Sequence, residues 1–374
     1  MENPLDKQEL EAILAETSES DPTRRVYANR TLEMASIEVV GFDMDYTLAP
    51  YHQAAMNELS IKASLDKLIA RGYPEKIRDA KMDHEFIIRG LVVDKENGNI
   101  FKMDSHRHVG CGYHGYKRLD DAELTDAYGT RAVRLSSDRY HWVDTLFSLP
   151  EATLLAGIIG HYEIDGGSLP WSYRQLVDDI RECIDEAHGD NTLKAVILAD
   201  LEKFVVKDPD LAPTLHRFRS AGKRLFLLTN SEHYYTEAVM SYLLDGQMPF
   251  YRTWQDYFDM ILVGAGKPAF FNERSPFVEL DNQGKDVGPV KSLRRGVIYR
   301  GGNYQDLEAA LGVTGNEILY VGDHIYADIV KSRREGVWRT ALVIQEMEAI
   351  LRVTHLNLPK LDRLHELEEA ARRL

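Results

Sequence analysis

Cysteine is nearly absent from this chain of 374 residues, with only Cys111 and Cys183. Two thiols make no disulfide framework and no paired CxxC metal site, so a reducing compartment, the cytoplasm, is expected. Long apolar runs are also missing. The longest, around ATLLAGIIG (152–160), is too short to cross a bilayer, so no membrane partner is expected. The opening residues, MENPLDKQELEAILAETSESD, are acidic and lack an apolar core, which argues against a secretory leader. Positive charge is in deficit: 45 Lys and Arg face 60 Asp and Glu, a formal net charge of −15. Nucleic-acid binding needs clustered Lys and Arg and is not expected. A small anionic substrate stays compatible if positive charge gathers in one pocket.

What is present is globular. Hydrophobic residues make up 44% and charged residues 28%, and the length suits two or three domains. Four short apolar runs read as buried strands: IEVVGFD (37–43), KRLFLLTNS (223–231), DMILVGAG (259–266) and EILYVGDH (317–324). Helical patterns such as PTLHRFRSAG (213–222) and YYTEAVMSYLLDG (234–246) lie between them. Alternating strands and helices predict an α/β fold, a Rossmann-like doubly wound parallel sheet with chemistry beyond the carboxyl ends of the strands.

The first two strand runs are too far apart for one βαβ step. The stretch between them holds helical segments (60–73 and 171–189) and a hairpin-like piece (90–104). It reads as an inserted α+β cap over residues 52–205. Residues 1–51 and 206–350 then form the catalytic core, and 351–374 a C-terminal helical segment. A short amphipathic helix is expected over 5–16. Oligomeric state is left open, a homo-oligomer included.

Each strand run ends on polar groups. Asp43 and Asp45 end the first, and Thr229, Asn230 and Ser231 the second. Lys267 follows the third, and Asp323 ends the fourth, with Asp328 five residues on. Alternate residues at a strand end share one side, so Asp43 and Asp45 can line one pocket. Several carboxylates in one crevice repel and lose hydration unless a cation neutralises them. An all-oxygen set without His or Cys suits Mg²⁺. Lys267, the hydroxyls and a helix beginning soon after Ser231 would favour an anion, and together these groups fit a phosphoryl site.

DMDYTL, LLTNS, the Lys of GKP and VGDHIYAD resemble the four motifs of the haloacid dehalogenase (HAD) superfamily of Mg²⁺-dependent phosphotransferases. NRTLEMASIEVVGFDMDYTLA, DTLFSLPE, GKPAFF, YRGGN and ILYVGDHIYADIVKS resemble the cytosolic purine 5′-nucleotidases, which hydrolyse IMP and GMP. The resemblance spans roughly residues 28 to 345. It implies that Asp43 is the nucleophile and Asp45 the general acid and base. It implies Mg²⁺ on Asp43, the Asp45 backbone carbonyl and Asp323, with Asp328 assisting. Thr229 and Lys267 would hold the phosphoryl oxygens, with Asn230 and Ser231 shaping that site. In the cap it places Phe147 against the base, Arg181 and Asp185 on its edge, His188 on the same helix face, and Lys194 toward the phosphate. A nucleoside monophosphate substrate follows. The alternatives are a phosphatase or nucleoside phosphotransferase of broader range, or a nucleotide-binding regulator without catalysis.

Two look-alike signals are set aside. GAGKP (264–268) is no Walker A loop, because Ile261 and Pro268 stand where Gly and Ser or Thr are required. His106, His108, Cys111 and His114 lack a second paired cluster, so zinc is not expected. Departures from the resemblance are Asp144, where regulated members carry Asn at an effector site that includes positions matching Arg134 and Arg334, and Gly189, where they carry an aromatic residue. The first argues against ATP activation, the second for looser base selectivity.

Overall fold

The computed structural model describes residues 23, 25–129, 132–163 and 167–373; the helix expected over 5–16 lies outside the described residues. In chain order the described strands are β1 (Val39–Phe42), β2 (Val92–Asp94), β3 (Asn99–Met103), β4 (Val109–His114), β5 (Lys117–Arg118), β6 (Tyr140–Trp142), β7 (Arg224–Leu228), β8 (Met260–Val263), β9 (Phe277–Leu280), β10 (Asp286–Val290), β11 (Ile298–Gly301), β12 (Ile318–Gly322) and β13 (Arg339–Leu342). They form two sheets. The larger has the order β10-β9-β11-β8-β7-β1-β12-β13. From β11 through β13 every pairing is parallel, and the β9–β10 hairpin extends one edge antiparallel.

The sheet is wound on both faces. Val40, Phe42, Leu225, Leu227, Ile261 and Val263 pack with Val239, Met240 and Leu243 of the helix His233–Leu244. Their strand neighbours Val39, Phe226, Leu228, Met260 and Leu262 pack in a second cluster with Leu307 and Leu311 of the helix Tyr304–Leu311. Burial on both faces explains why these strands read as continuous apolar runs without alternation. At the centre, Gly41 leaves room for Phe226, whose ring stacks on Tyr320 with centroids 6.1 Å apart. A Cβ at Gly41 would meet Phe226 at 2.0 Å.

The second sheet, β5-β4-β3-β2-β6, is antiparallel and falls wholly between β1 and β7 in the chain. Beside it lie the helices Gln53–Ala70, Leu149–Tyr162 and Tyr173–Gly189. The apolar run at 152–160 lies in the second of these, buried from Leu149 to Ile159, and a helix surrounded by protein is apolar on all sides. The chain leaves and re-enters the core on adjacent strands of backbone. His52 N donates to Phe204 O (2.9 Å) and Val206 N to Pro50 O (2.8 Å). Residues after β13 brace this crossing: Gln345 Nε2 donates to Tyr51 O (2.8 Å), and Arg89 binds Glu346 through two bonds of 2.7 and 2.9 Å.

The fold class is the one expected, an α/β doubly wound core with an α+β insertion. Four core-sheet strands were not among the expected runs: β9, β10, β11 and β13. From Met347 to Arg373 the chain is one helix with no buried residue. Among the described residues no helix is long and apolar enough to cross a membrane.

Candidate active site

Strands β8, β7, β1 and β12 are neighbours, so their carboxyl ends meet at one edge. Asp43 follows β1, and its backbone N–H continues the ladder to Val321 O (2.9 Å). Its Oδ1 accepts from Met44 N (2.8 Å) and lies 2.9 Å from Lys267 Nζ. Lys267 Nζ also donates to Asp328 Oδ1 (2.7 Å) and Tyr320 OH (2.8 Å), so all three of its protons are placed. Asp43, Lys267, Asp323 and Asp328 are all buried. Burial disfavours the Lys267 charge, but the Asp328 and Asp43 carboxylates outweigh it and hold its pKa above the usual lysine value.

Asp328 is fixed further by His324 N, which donates to its Oδ2 (3.1 Å). It packs beneath Gly322, where a Cβ would come within 2.5 Å of Asp328 Oδ2. Asp323 is anchored from the insertion: Arg89 Nη1 donates to its carbonyl oxygen (3.0 Å) and lies 3.9 Å from its carboxylate.

One carboxylate oxygen each from Asp43, Asp323 and Asp328 lies within 4.8 Å of the others. Burial raises Asp43 well above the usual carboxylate range; Lys267 opposes this, while Asp328, Asp323 and Asp45 add to it. Burial pushes Asp323 up to about 7, with Asp328 adding and Lys267 and Arg89 opposing. Of these three clustered carboxylates, Asp43 and Asp328 share Lys267 and Asp323 has only the more distant Arg89, which is also paired with Glu346, so the group is short of positive charge. A divalent cation with oxygen ligands supplies it, so the donor set fits Mg²⁺.

Asp45 is held by hydroxyls. Tyr51 OH donates to its Oδ1 (2.5 Å) and Ser231 OH to its Oδ2 (2.7 Å). Thr229 is built into the loop after β7: its N–H donates to Leu262 O (3.0 Å), and its Oγ1 accepts from Ser231 N (3.0 Å). Asn230 clamps Lys267 by its backbone, accepting from Lys267 N (2.6 Å) and donating to Lys267 O (3.0 Å). The helix His233–Leu244 starts two residues after Ser231.

The insertion brings a second group of side chains toward this edge. Phe147 packs edge-on to Tyr46 (4.7 Å between centroids) and to His188 (5.6 Å). Burial lowers the His188 pKa and Lys194 lowers it further, against Asp185, Glu151 and Asp45. Its Nε2 is buried without a partner among the described residues. Lys194 Nζ lies 5.8 Å from the ring centroids of both Tyr234 and Tyr235.

Arg181 and Asp185 share a helix face, but only at 3.9 Å, and their side chains are 43% and 69% exposed. Arg181 Nη1 sits 2.6 Å from His141 Nδ1 instead, and His141 Nε2 lies 3.0 Å from Glu151. Sequence reasoning missed His141, Glu151, Arg89 and Tyr51. Glu151 did carry a signal, as the one charge in the apolar stretch LPEATLLAGII. Of the residues tied to an effector site, Asp144 lies 4.0 Å from His324 Nε2, and Arg134 and Arg334 are exposed.

The sequence model of the 5′ nucleotidase family matches residues 26–374. The chain is 33% identical over 343 residues to 5′-nucleotidase domain-containing protein 2 of Homo sapiens, an alignment covering 88% of this chain and 64% of the relative. It is 31% identical over 359 residues to a 5′-nucleotidase domain-containing protein of Dictyostelium discoideum, covering 93% and 60%. The chain therefore spans under two thirds of the length of these relatives. Among solved structures, a predicted phosphoglycolate phosphatase of Haemophilus somnus aligns at 12% identity and TM-score 0.30, over 86% of this chain and 100% of that one. A predicted HAD-like family hydrolase of Porphyromonas gingivalis aligns at 13% and 0.31, over 85% and 98%. Overlaps this low add nothing to the topology read from the strands.

Proposed function

The chain belongs to the 5′ nucleotidase family, and from that premise we propose that it hydrolyses nucleoside 5′-monophosphates through Asp43. The observation that carries the reading is the buried contact of Lys267 with both Asp43 and Asp328, within one carboxylate group that also contains Asp323. Buried acids that crowd one lysine are costly in a purely structural role.

Asp43, Asp323 and Asp328 would hold Mg²⁺, with the Asp45 backbone carbonyl. When bound, the ion supplies positive charge against the phosphoryl oxygens and the nucleophile. The protein's own groups do the rest. An Asp43 carboxylate oxygen forms the bond to phosphorus as the bond to the ribose O5′ breaks. Asp45 gives its proton to O5′, then takes one from the water that releases phosphate from Asp43. Lys267 and Thr229 face the transferred group, and Ser231 and Asn230 keep Asp45 and Lys267 in place.

Residues 52–205 act as the cap that selects the substrate. Phe147 offers a ring to the base, and Arg181 with Asp185 offers donors and an acceptor to a 6-oxopurine edge. His188 continues that helix face, and Lys194 would approach the phosphate. Cys111 and Cys183, both free, go with a reducing cytoplasmic setting.

Phosphate release over a panel of IMP, GMP, AMP, UMP and sugar phosphates, with and without MgCl₂, tests this reading. Faster release from IMP and GMP, dependent on Mg²⁺, is expected. Faster turnover of sugar phosphates overturns the substrate assignment, and an active Asp43→Asn variant overturns the mechanism.

A further inference from the structure

Asp45 is bonded on both carboxylate oxygens, and one of the two donors comes from an unusual place. Ser231, after β7, belongs to the core and binds Oδ2. Tyr51, which binds Oδ1, lies on the first of the two backbone segments that join core to insertion. The backbone around Tyr51 is pinned on three sides: Pro50 O to Val206, His52 N to Phe204, and Tyr51 O to Gln345. Its hydroxyl is pinned as well, lying 2.9 Å from that of Tyr235 in the helix His233–Leu244. Tyr51 has one phenolic proton, which goes to Asp45, so Tyr235 is the donor in that pair. Both rings are buried, and the Tyr51 ring packs edge-on to Tyr46 (5.0 Å) and Phe147 (6.2 Å).

A buried phenol whose only proton points at a carboxylate does more than fill space, since phenylalanine would pack equally well and leave no polar atom to satisfy. We propose that Tyr51, oriented by Tyr235, is a positioning residue that sets the rotation of Asp45 for proton delivery to the leaving oxygen and ties that rotation to the hinge between core and cap. With one oxygen held from the core and the other from the hinge, the Asp45 carboxylate cannot turn while the hinge stays closed. A shift of the hinge removes the Oδ1 donor and frees it.

The inference rests on the phosphohydrolase reading above, and leaving-group chemistry separates the two. The alkoxide leaving IMP needs a proton in the transition state, whereas the nitrophenolate leaving p-nitrophenyl phosphate does not. In Tyr51→Phe, first-turnover release of inosine from IMP should slow about 10- to 100-fold. First-turnover release of nitrophenolate from p-nitrophenyl phosphate should stay within about twofold of wild type, since only the leaving-group step differs between the two substrates. Tyr235→Phe should give the same selective loss on a smaller scale, and it carries the test if Tyr51→Phe does not fold. Equal losses in first-turnover release from both substrates, or no loss from either, overturn the positioning role while leaving the phosphohydrolase reading intact. A wild-type chain inactive on both substrates overturns the two together.

Discussion

The two sides of the candidate site are held by different physics. On the core side, Asp43, Lys267 and Asp328 are buried and locked by strand ends, backbone donors and one another. On the insertion side, Arg181 and Asp185 project from a helix, are 43% and 69% exposed, and sit 3.9 Å apart. Groups of the first kind cannot move or lose a partner without leaving a buried charge uncompensated. Groups of the second kind can swing, re-pair or be replaced at little structural cost. If the proposed roles hold, this is fixed chemistry beneath an adaptable selector, an arrangement in which one reaction is kept while the substrate changes.

The contrast can be tested by breaking each side in turn. Asp43→Asn removes the proposed nucleophile and should lower phosphate release by roughly 10³-fold or more, with the fold retained by circular dichroism. Lys267→Met strands Asp43 and Asp328 and should cost about 3–5 kcal/mol in urea unfolding without divalent ions, an effect that added MgCl₂ reduces.

A third test uses proton linkage. The Asp323 carboxyl is pushed up to about 7, so the folded chain holds this proton where the unfolded chain has released it. Without a divalent ion, that stabilisation is fully present below the ordinary carboxylate range and is lost as pH rises through about 7. The proposed Mg²⁺ would bind the ionised form, so the rise in Tm on adding MgCl₂ should be larger at about pH 8 than at about pH 5.5. An increment that shrinks with pH would contradict the ligand assignment. On the insertion side, Arg181→Ala should raise KM for IMP roughly tenfold, leave p-nitrophenyl phosphate unaffected, and change stability by less than about 1 kcal/mol.

The same contrast governs what could be read from sequence. The core side was legible because its residues sit at the ends of buried apolar runs, and a polar group there stands out. DMD, TNS, K and GD each mark where a strand of the parallel sheet stops. Strands β11 and β13 were not legible, since IYRG and RTAL are four residues each and carry no sustained apolar pattern, and RTAL is exposed at both ends. The β9–β10 hairpin adds an edge outside the parallel run, and its second strand contains Pro289. Contacts that close the site across the fold were hidden as well. Arg89 reaches Glu346 and Asp323 only because the insertion folds back onto the core, and Tyr51 meets Tyr235 across 184 residues of chain. The i,i+4 spacing placed Arg181 and Asp185 on one face, but it could not reveal that His141 takes the guanidinium. Resemblance named Asn230 as part of the phosphoryl site; spacing gave no hint of its two bonds to the Lys267 backbone.

The central claim is that a core carboxylate, Asp43, carries the phosphoryl group between substrate and water. Quenching the wild-type chain in acid during turnover of IMP, then reducing with borohydride, converts an acyl phosphate to an alcohol. Peptide mass spectrometry should then find homoserine at position 43 and unmodified aspartate at positions 45, 323 and 328. Reduction at another carboxylate, or at none while phosphate is being released, would contradict the account.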